Sequence, residues 1–198
     1  MDALNQSLRR FPVWTLYMLS VIYPVWLFYR AVNGGLGVDP VKVMEHDMGL
    51  KSLQLMILGL SITPLRRFVG LNLMRFRRAI GLIAFLYICL HMLIWLVLDV
   101  QILSQIWADI LKRPYITIGM TGFAVLVPLA VTSNNWSVRK LGRRWNKLHK
   151  LVYLAGLLGG VHFFMLSRGF QYEPLIYLGV VVLLVGLRAI PRRRAARA

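Results

Sequence analysis

Four histidines (His46, His91, His149 and His162) and one cysteine, Cys89, are the side chains of this chain best suited to hold a metal or relay protons. His91 and His162 lie deep inside long apolar runs. An ionisable ring in such a run is costly unless it is paired or ligated, so a functional reading is the default. Three chemistries fit such a pair: a hydrogen bond between helices, a proton relay, or axial ligation of a b-type haem. Zinc is a poorer match, because its sites take at least three protein ligands and no thiolate or carboxylate pair accompanies these two. Haem asks for two axial ligands and an apolar slot, and both are present. The lone cysteine excludes an internal disulfide, a thiolate cage and a cysteine-held iron–sulfur centre. Cys89 stands about 200° round a helix from His91 and reads as a small buried apolar side chain.

His149 precedes His162 by thirteen residues, about 20 Å along a helix axis, a separation suited to a second redox centre nearer the opposite membrane surface. Thirteen steps of about 100° leave the two rings about 140° apart, so tilt, side-chain rotamers or a bend must make up the difference if both face one bundle interior. A second ligand on the His91 helix would fall fourteen residues earlier, where the sequence has Arg77. Arginine stays protonated and does not normally ligate iron, so Arg77 is expected only as a polar contact of an inner site, and one or two haems remain open. His46, in an expected loop 41–47, reads as a solvated or interfacial histidine.

The elements that position these rings must sit in lipid. With 58% of 198 residues apolar and 16% charged, and mean hydropathy +0.63, the chain has more apolar surface than a soluble core of this size can bury. Six apolar segments, roughly 13–32, 48–65, 79–98, 115–133, 148–166 and 173–190, mostly approach the ~20 residues of a membrane-spanning helix. The expectation is an all-α integral membrane protein, a six-helix transmembrane bundle forming one domain over 1–198. Pro24 is expected to kink the first span. His91 and His162, about twelve and fourteen residues into their spans, lie at depths of roughly 18 and 21 Å, so two rings at one height can share one iron. Gly156, Gly159 and Gly160 either admit a flat macrocycle or mark close helix packing.

The formal charge of +17 comes from 24 Lys and Arg against 7 Asp and Glu. The basic residues fall in short clusters between apolar runs, a membrane pattern rather than a nucleic-acid one. Eighteen of the 24, including Arg66, Arg67, Arg75, Arg77, Arg78 and the run Arg139 to Lys150, gather on one side. That side is expected to be cytoplasmic and to carry both termini. The first segment should remain as an anchor. Between the third and fourth spans Leu103, Ile106, Trp107, Ile110 and Leu111 line one face of a helix too short to cross, expected to lie along the outer surface as an interfacial anchor or a docking surface. No GxGxxG follows a strand, so no nicotinamide or FAD domain is written in the chain.

One histidine on the third span and a His-x12-His pair on the fifth resemble the ferric-reductase-type transmembrane domain shared with NADPH oxidases. The strings NGGLGVDPV (33–41), ITPLRR (62–67), RRAIGLIAFLYICLH (77–91), KRPYITIG (112–119), RKLGRRWNKLHKLVYL (139–154) and EPLIYLG (173–179), in this order, resemble the MsrQ family, haem-binding membrane subunits of bacterial periplasmic methionine sulfoxide reductase systems. The resemblance implies an electron conduit in the inner membrane. It would run from the quinone pool or a cytoplasmic flavin reductase to a periplasmic molybdopterin-containing catalytic subunit that repairs oxidised envelope proteins. It also implies His91, His149 and His162 as haem ligands, with His91 and His162 sharing the outer haem and His149 serving an inner haem or relay. FMN is implied without positions. The alternatives are a stand-alone ferric or quinone-linked reductase and a haem-free proton channel or transporter.

Overall fold

The computed structural model describes residues 2–167 and 171–189, and every regular element among them is helical. Arg168, Ile190 at the end of the sixth expected span, and Arg192, Arg193, Arg194 and Arg197 of the basic tail lie outside the described residues. Ten α-helices follow in order: α1 Asp2–Arg10, α2 Trp14–Val32, α3 Pro40–Pro64, α4 Arg77–Leu93, α5 Leu103–Lys112, α6 Pro114–Val131, α7 Asn135–Leu141, α8 Arg143–Leu148, α9 Leu151–Leu166 and α10 Tyr172–Ala189. A wider π-helical turn extends α3 to Val69, and another extends α4 to Val100. The protein is an all-α membrane protein. Five continuous stretches among the described residues are long and apolar enough to cross a bilayer: Trp14–Val32, Pro40–Val69, Met74–Val100, Pro114–Val131 and Arg143–Leu166. Their outward faces carry large apolar side chains such as Met18, Ile22 and Val97, as lipid contact requires.

The second span begins at Pro40 rather than near residue 48, and His46 lies on helix, not in a loop. Lys42, Glu45, His46 and Asp47 break the apolar run without breaking the helix. Asp39 caps it by accepting the Lys42 N–H, and proline occupies the first turn, where its missing donor costs nothing. At its polar end, Lys42 pairs with Asp99 at 2.5 Å and Glu45 at 3.4 Å, tying the start of α3 to the end of α4's extension. Helix α2 runs unbroken through Pro24.

The basic loops also fold. Asn5 of α1 donates to the Gly70 carbonyl and accepts from the Asn72 N–H, while Arg75 donates to the Arg9 carbonyl. The basic run from Arg139 to Lys147 falls on α7 and α8, with Asn134 capping α7 by accepting the Ser137 N–H. Helix α5 lies where the amphipathic pattern put it, with Leu103 83% and Trp107 64% exposed, an apolar stripe free to rest on a membrane surface.

The bundle is organised around two antiparallel helix pairs. Helix α3 packs along α4, and α6 along α9; α4 against α6 and α3 against α9 then join the pairs, while α10 covers α9 and α3. Met56, Ala84, Leu126, Leu129 and Ala155 form the buried seam common to both pairs.

Candidate functional site

Each helix pair holds one histidine in the same way. On α4, His91 donates from Nδ1 to the Glu45 carbonyl of α3 at 2.8 Å. On α9, His162 donates from Nδ1 to the Tyr115 carbonyl of α6 at 2.7 Å. A carbonyl only accepts, so both Nδ1 atoms carry the proton and both Nε2 atoms present a lone pair. A backbone carbonyl on the second nitrogen is the usual partner of a metal-ligating histidine, setting its tautomer and its ring orientation.

The two rings then meet across the junction of the pairs. Their centroids are 6.3 Å apart and their planes cross at 78°. With a nitrogen–metal bond of about 2.0–2.1 Å, as in zinc–imidazole sites, and about 1.1 Å from ring nitrogen to ring centre, two imidazoles trans on one metal ion have centroids about 6.3 Å apart. Among the described residues no cluster of three His, Cys, Asp or Glu is present, so the two imidazoles are the nitrogen donors that this junction brings together.

A cavity of about 380 Å³ opens beside both rings, within the roughly 300–1,000 Å³ of small-ligand and cofactor pockets. Leu53, Met56, Ile88, Met120, Phe123 and Leu126 supply its apolar wall, while Lys42, Glu45 and Arg113 stand at its polar rim. Of the three glycines on α9, only Gly159 faces it; a Cβ on Gly156 would touch Leu60, and one on Gly160 would touch Leu178, so those two serve helix packing. The residues present therefore fit a flat, largely apolar group with two open axial positions and charged side chains at one edge.

Two further glycines complete the site, and sequence reasoning missed both. A Cβ on Gly49 would lie 3.1 Å from His91 Nδ1, and one on Gly119 would lie 2.8 Å from His162 Nδ1. Each stands four residues after the carbonyl that takes the histidine proton, on the same helix. That carbonyl already accepts its own helical N–H, and a second donor can reach it only where the neighbouring side chain is missing. The signal in the sequence was a glycine at matching depth on a neighbouring span, which cannot be assigned before the helix pairing is known.

The pair sits toward the acidic end of the bundle. Tyr115 is the second residue of α6, and His162 stands four residues before the end of α9, about 6 Å. The other candidates lie elsewhere. His149 occupies a break between α8 and α9. Its ring stacks on Trp145 at 3.8 Å between centroids, and its Nε2 is 3.0 Å from Thr132 Oγ1. Arg77 lines a separate cavity at the basic end. His46 lines the mouth of the first cavity, 5.9 Å from the Phe163 ring.

Residues 48–160 match the family described as the ferric reductase like transmembrane component, a stretch that includes His91 and His149 and ends two residues before His162. Among curated proteins the chain is 49% identical to the protein-methionine-sulfoxide reductase heme-binding subunit MsrQ of Agrobacterium fabrum, over 90% of this chain and 83% of the relative. It is 49% identical to that of Brucella anthropi over 90% and 81%, and 51% identical to that of Brucella ovis over 87% and 79%. No solved structure matches.

Proposed function

The chain belongs to the MsrQ family within the ferric reductase-like transmembrane proteins, and from that premise we propose that it is the b-type haem electron-transfer subunit of a methionine sulfoxide reductase system. The observation that carries the proposal is the ring pair itself: His91 and His162 face each other at 6.3 Å with both Nδ1 atoms committed to carbonyls. The curated relatives' own name, a heme-binding subunit, supports it.

When bound between these rings, a haem supplies a one-electron redox couple. His91 and His162 would hold its iron through Nε2, the Glu45 and Tyr115 carbonyls keep the rings in that tautomer, and the apolar wall keeps water away from the axial positions. Lys42 and Arg113 at the rim suit propionate carboxylates through charge-assisted hydrogen bonds. The pair's position near the acidic end suits delivery to an acceptor on that side, taken as the periplasm, and the basic end then faces the cytoplasm. In this reading 1–198 is a single domain in the inner membrane, α10 is a sixth span, and both termini are cytoplasmic. Electrons enter from the quinone pool or a cytoplasmic flavin donor, with FMN as an associated cofactor. They leave to a periplasmic molybdopterin-containing catalytic subunit. His149 serves as inner ligand or relay, with Arg77 as a polar contact at that end.

The experiment is a visible spectrum of the purified protein, oxidised and reduced, for wild type, His91→Ala and His162→Ala. The expected outcome is a sharp b-type reduced band in wild type and its loss or conversion to an open, ligand-accepting form in each variant. A folded, colourless wild type, or unchanged low-spin spectra in both variants, refutes the assignment. Reduction followed by transfer to the purified catalytic subunit tests the partner.

A further inference from the structure

Helix α5 keeps Leu103, Trp107 and Leu111 exposed, and at spacings of four residues they form one stripe. Ile106, Ala108 and Ile110 are half-buried on its flanks, where α5 touches α6 and the extension of α4. The polar side chains stand on the other face. Gln105 and Asp109 lie about 160° round the helix from Trp107, and Asp109 pairs at 3.2 Å with Arg113 on the rim of the first cavity. The helix therefore turns its charge toward that rim and its large apolar side chains away from it.

The two ends of α5 stand at different depths. Its last turn runs through Arg113 into α6, whose second residue, Tyr115, accepts the His162 proton, so that end is level with the ring pair. His91, the other ring of the pair, is followed by nine residues of unbroken helix up to Val100, about 13 Å at the α-helical rise and somewhat less through the wider π turns. There Gln101, with left-handed backbone at φ 61°, reverses the chain, and the Ile102 N–H closes on the Val100 carbonyl at 2.7 Å. So tight a turn takes up little of the way back. The ten residues of α5, about 15 Å of helix, cover most of it, and α5 slopes down toward the level of the rings instead of lying flat. Its stripe then joins exposed Val97, Leu98 and Ile102 in one apolar surface, with Trp107 half-way down, where indole rings favour the membrane interface.

We propose that α5 is a wedge inserted in the membrane leaflet at the acidic end. Acyl chains occupy the stripe of Leu103, Trp107 and Leu111, deeper at Leu111 than at Leu103, while Gln105 and Asp109 stay on the polar side. Thr117 Oγ1 donates to the Ile110 carbonyl at 2.5 Å, tying the last turn of α5 to the start of α6, so the seat of the wedge in lipid also steadies the turn that carries the Tyr115 carbonyl. The inference rests on the membrane assignment and is independent of the haem reading.

The test uses the full chain in phosphatidylcholine nanodiscs. In a Cys89→Ala background, Leu103→Cys, Trp107→Cys, Leu111→Cys and Gln105→Cys are spin-labelled one at a time. Collision with oxygen, which concentrates among acyl chains, is compared with collision with a water-soluble nickel chelate. The oxygen-to-nickel ratio is expected to rise from position 103 through 107 to 111 and to be lowest at 105. Nickel access at the stripe equal to that at 105, or equal ratios at 103 and 111, overturns the proposal. Low access to both reagents along the stripe also overturns it, because protein rather than lipid would then cover that face. A second measurement needs no label: in nanodiscs with brominated acyl chains, the difference in tryptophan emission between wild type and Trp107→Phe should be quenched, and an unquenched difference refutes insertion.

Discussion

Replacing Gly119 by alanine places a methyl carbon 2.8 Å from His162 Nδ1 and 2.9 Å from its Cε1. Ordinary carbon contacts begin near 3.5 Å, so the ring must retreat by about 0.6–0.7 Å. The His162 bond to the Tyr115 carbonyl, 2.7 Å at rest, then stretches to about 3.3–3.4 Å, beyond the normal N–H···O range. Loss of such an outer partner typically lowers metal affinity about 10–100-fold, roughly 1.4–2.8 kcal/mol. Gly49→Ala meets His91 at 3.1–3.2 Å. A retreat of about 0.3–0.4 Å keeps that bond within range, so only a few-fold loss is expected. Gly81→Ala, with nothing within 4 Å of its Cβ, is the control, and should stabilise α4 slightly, by about 0.5–1 kcal/mol. The assay is the haem-to-protein ratio and reduced spectrum of the three variants, purified in parallel and challenged with a haem-scavenging apoprotein. The expected order of haem loss is Gly119→Ala, then Gly49→Ala, then Gly81→Ala at wild-type level. If Gly119→Ala releases haem no faster than Gly81→Ala, the carbonyl–glycine arrangement does not orient the ring.

If His91 and His162 hold a haem iron with their rings crossed at 78° as here, the oxidised protein should give a low-spin electron paramagnetic resonance signal dominated by one large-g feature. A well-resolved rhombic signal would mean that the rings lie parallel. His149→Ala should leave that signal intact while slowing reduction by the native donor; an unchanged rate rules out a relay there. Thr132→Val removes the hydroxyl 3.0 Å from His149 Nε2 and should reproduce the slowing in milder form, with no effect on haem content. Asp99→Asn breaks the pair with Lys42, whose side chain is 54% exposed. The expected cost is at most about 1 kcal/mol, shrinking as salt rises; a larger, salt-independent loss in thermal denaturation would show that this pair does more than tie two helix ends.

The helices were legible wherever an apolar run was long, because a spanning helix must hide every backbone group and advertises itself by length. They were illegible where polarity interrupts the run. The start of α3 carries its own signals, Asp39 as cap and Pro40 in the first turn, yet Lys42, Glu45, His46 and Asp47 concealed it from hydropathy, and the histidine among them was read as loop. Helices α1, α7 and α8 lie at the basic end, where clustered arginines and lysines outweigh any apolar stripe. Rotation arithmetic left tilt, side-chain rotamers or a bend open at His149, and the structure has a break between α8 and α9 there. The inward turn of Arg188, whose guanidinium lies over the Tyr153 ring, was not legible, since nothing in a chain of letters separates an arginine reaching for water from one folded over a tyrosine.

Counting residues from the basic loops put His91 and His162 at one height, and the rings do meet, because depth along parallel spans is additive in the sequence at about 1.5 Å per residue. What counting could not give is which helix stands behind each ring. That depends on α3 pairing with α4 and α6 with α9, a choice made by side-chain packing across the bundle. Once the pairs form, the requirement on each is the same. A ring that offers Nε2 must place its Nδ1 proton, in lipid the neighbouring helix's carbonyls are the acceptors at hand, and their second lone pairs are shielded by side chains one turn on. Glycine at that position is the simplest way to uncover one, and Glu45 with Gly49 and Tyr115 with Gly119 arrive at it on separate helix pairs. A hydrogen bond serving only to join helices would need one such opening and would leave the other ring free to turn. Two openings fix both rings at once, which is the arrangement that the proposed haem between them would use.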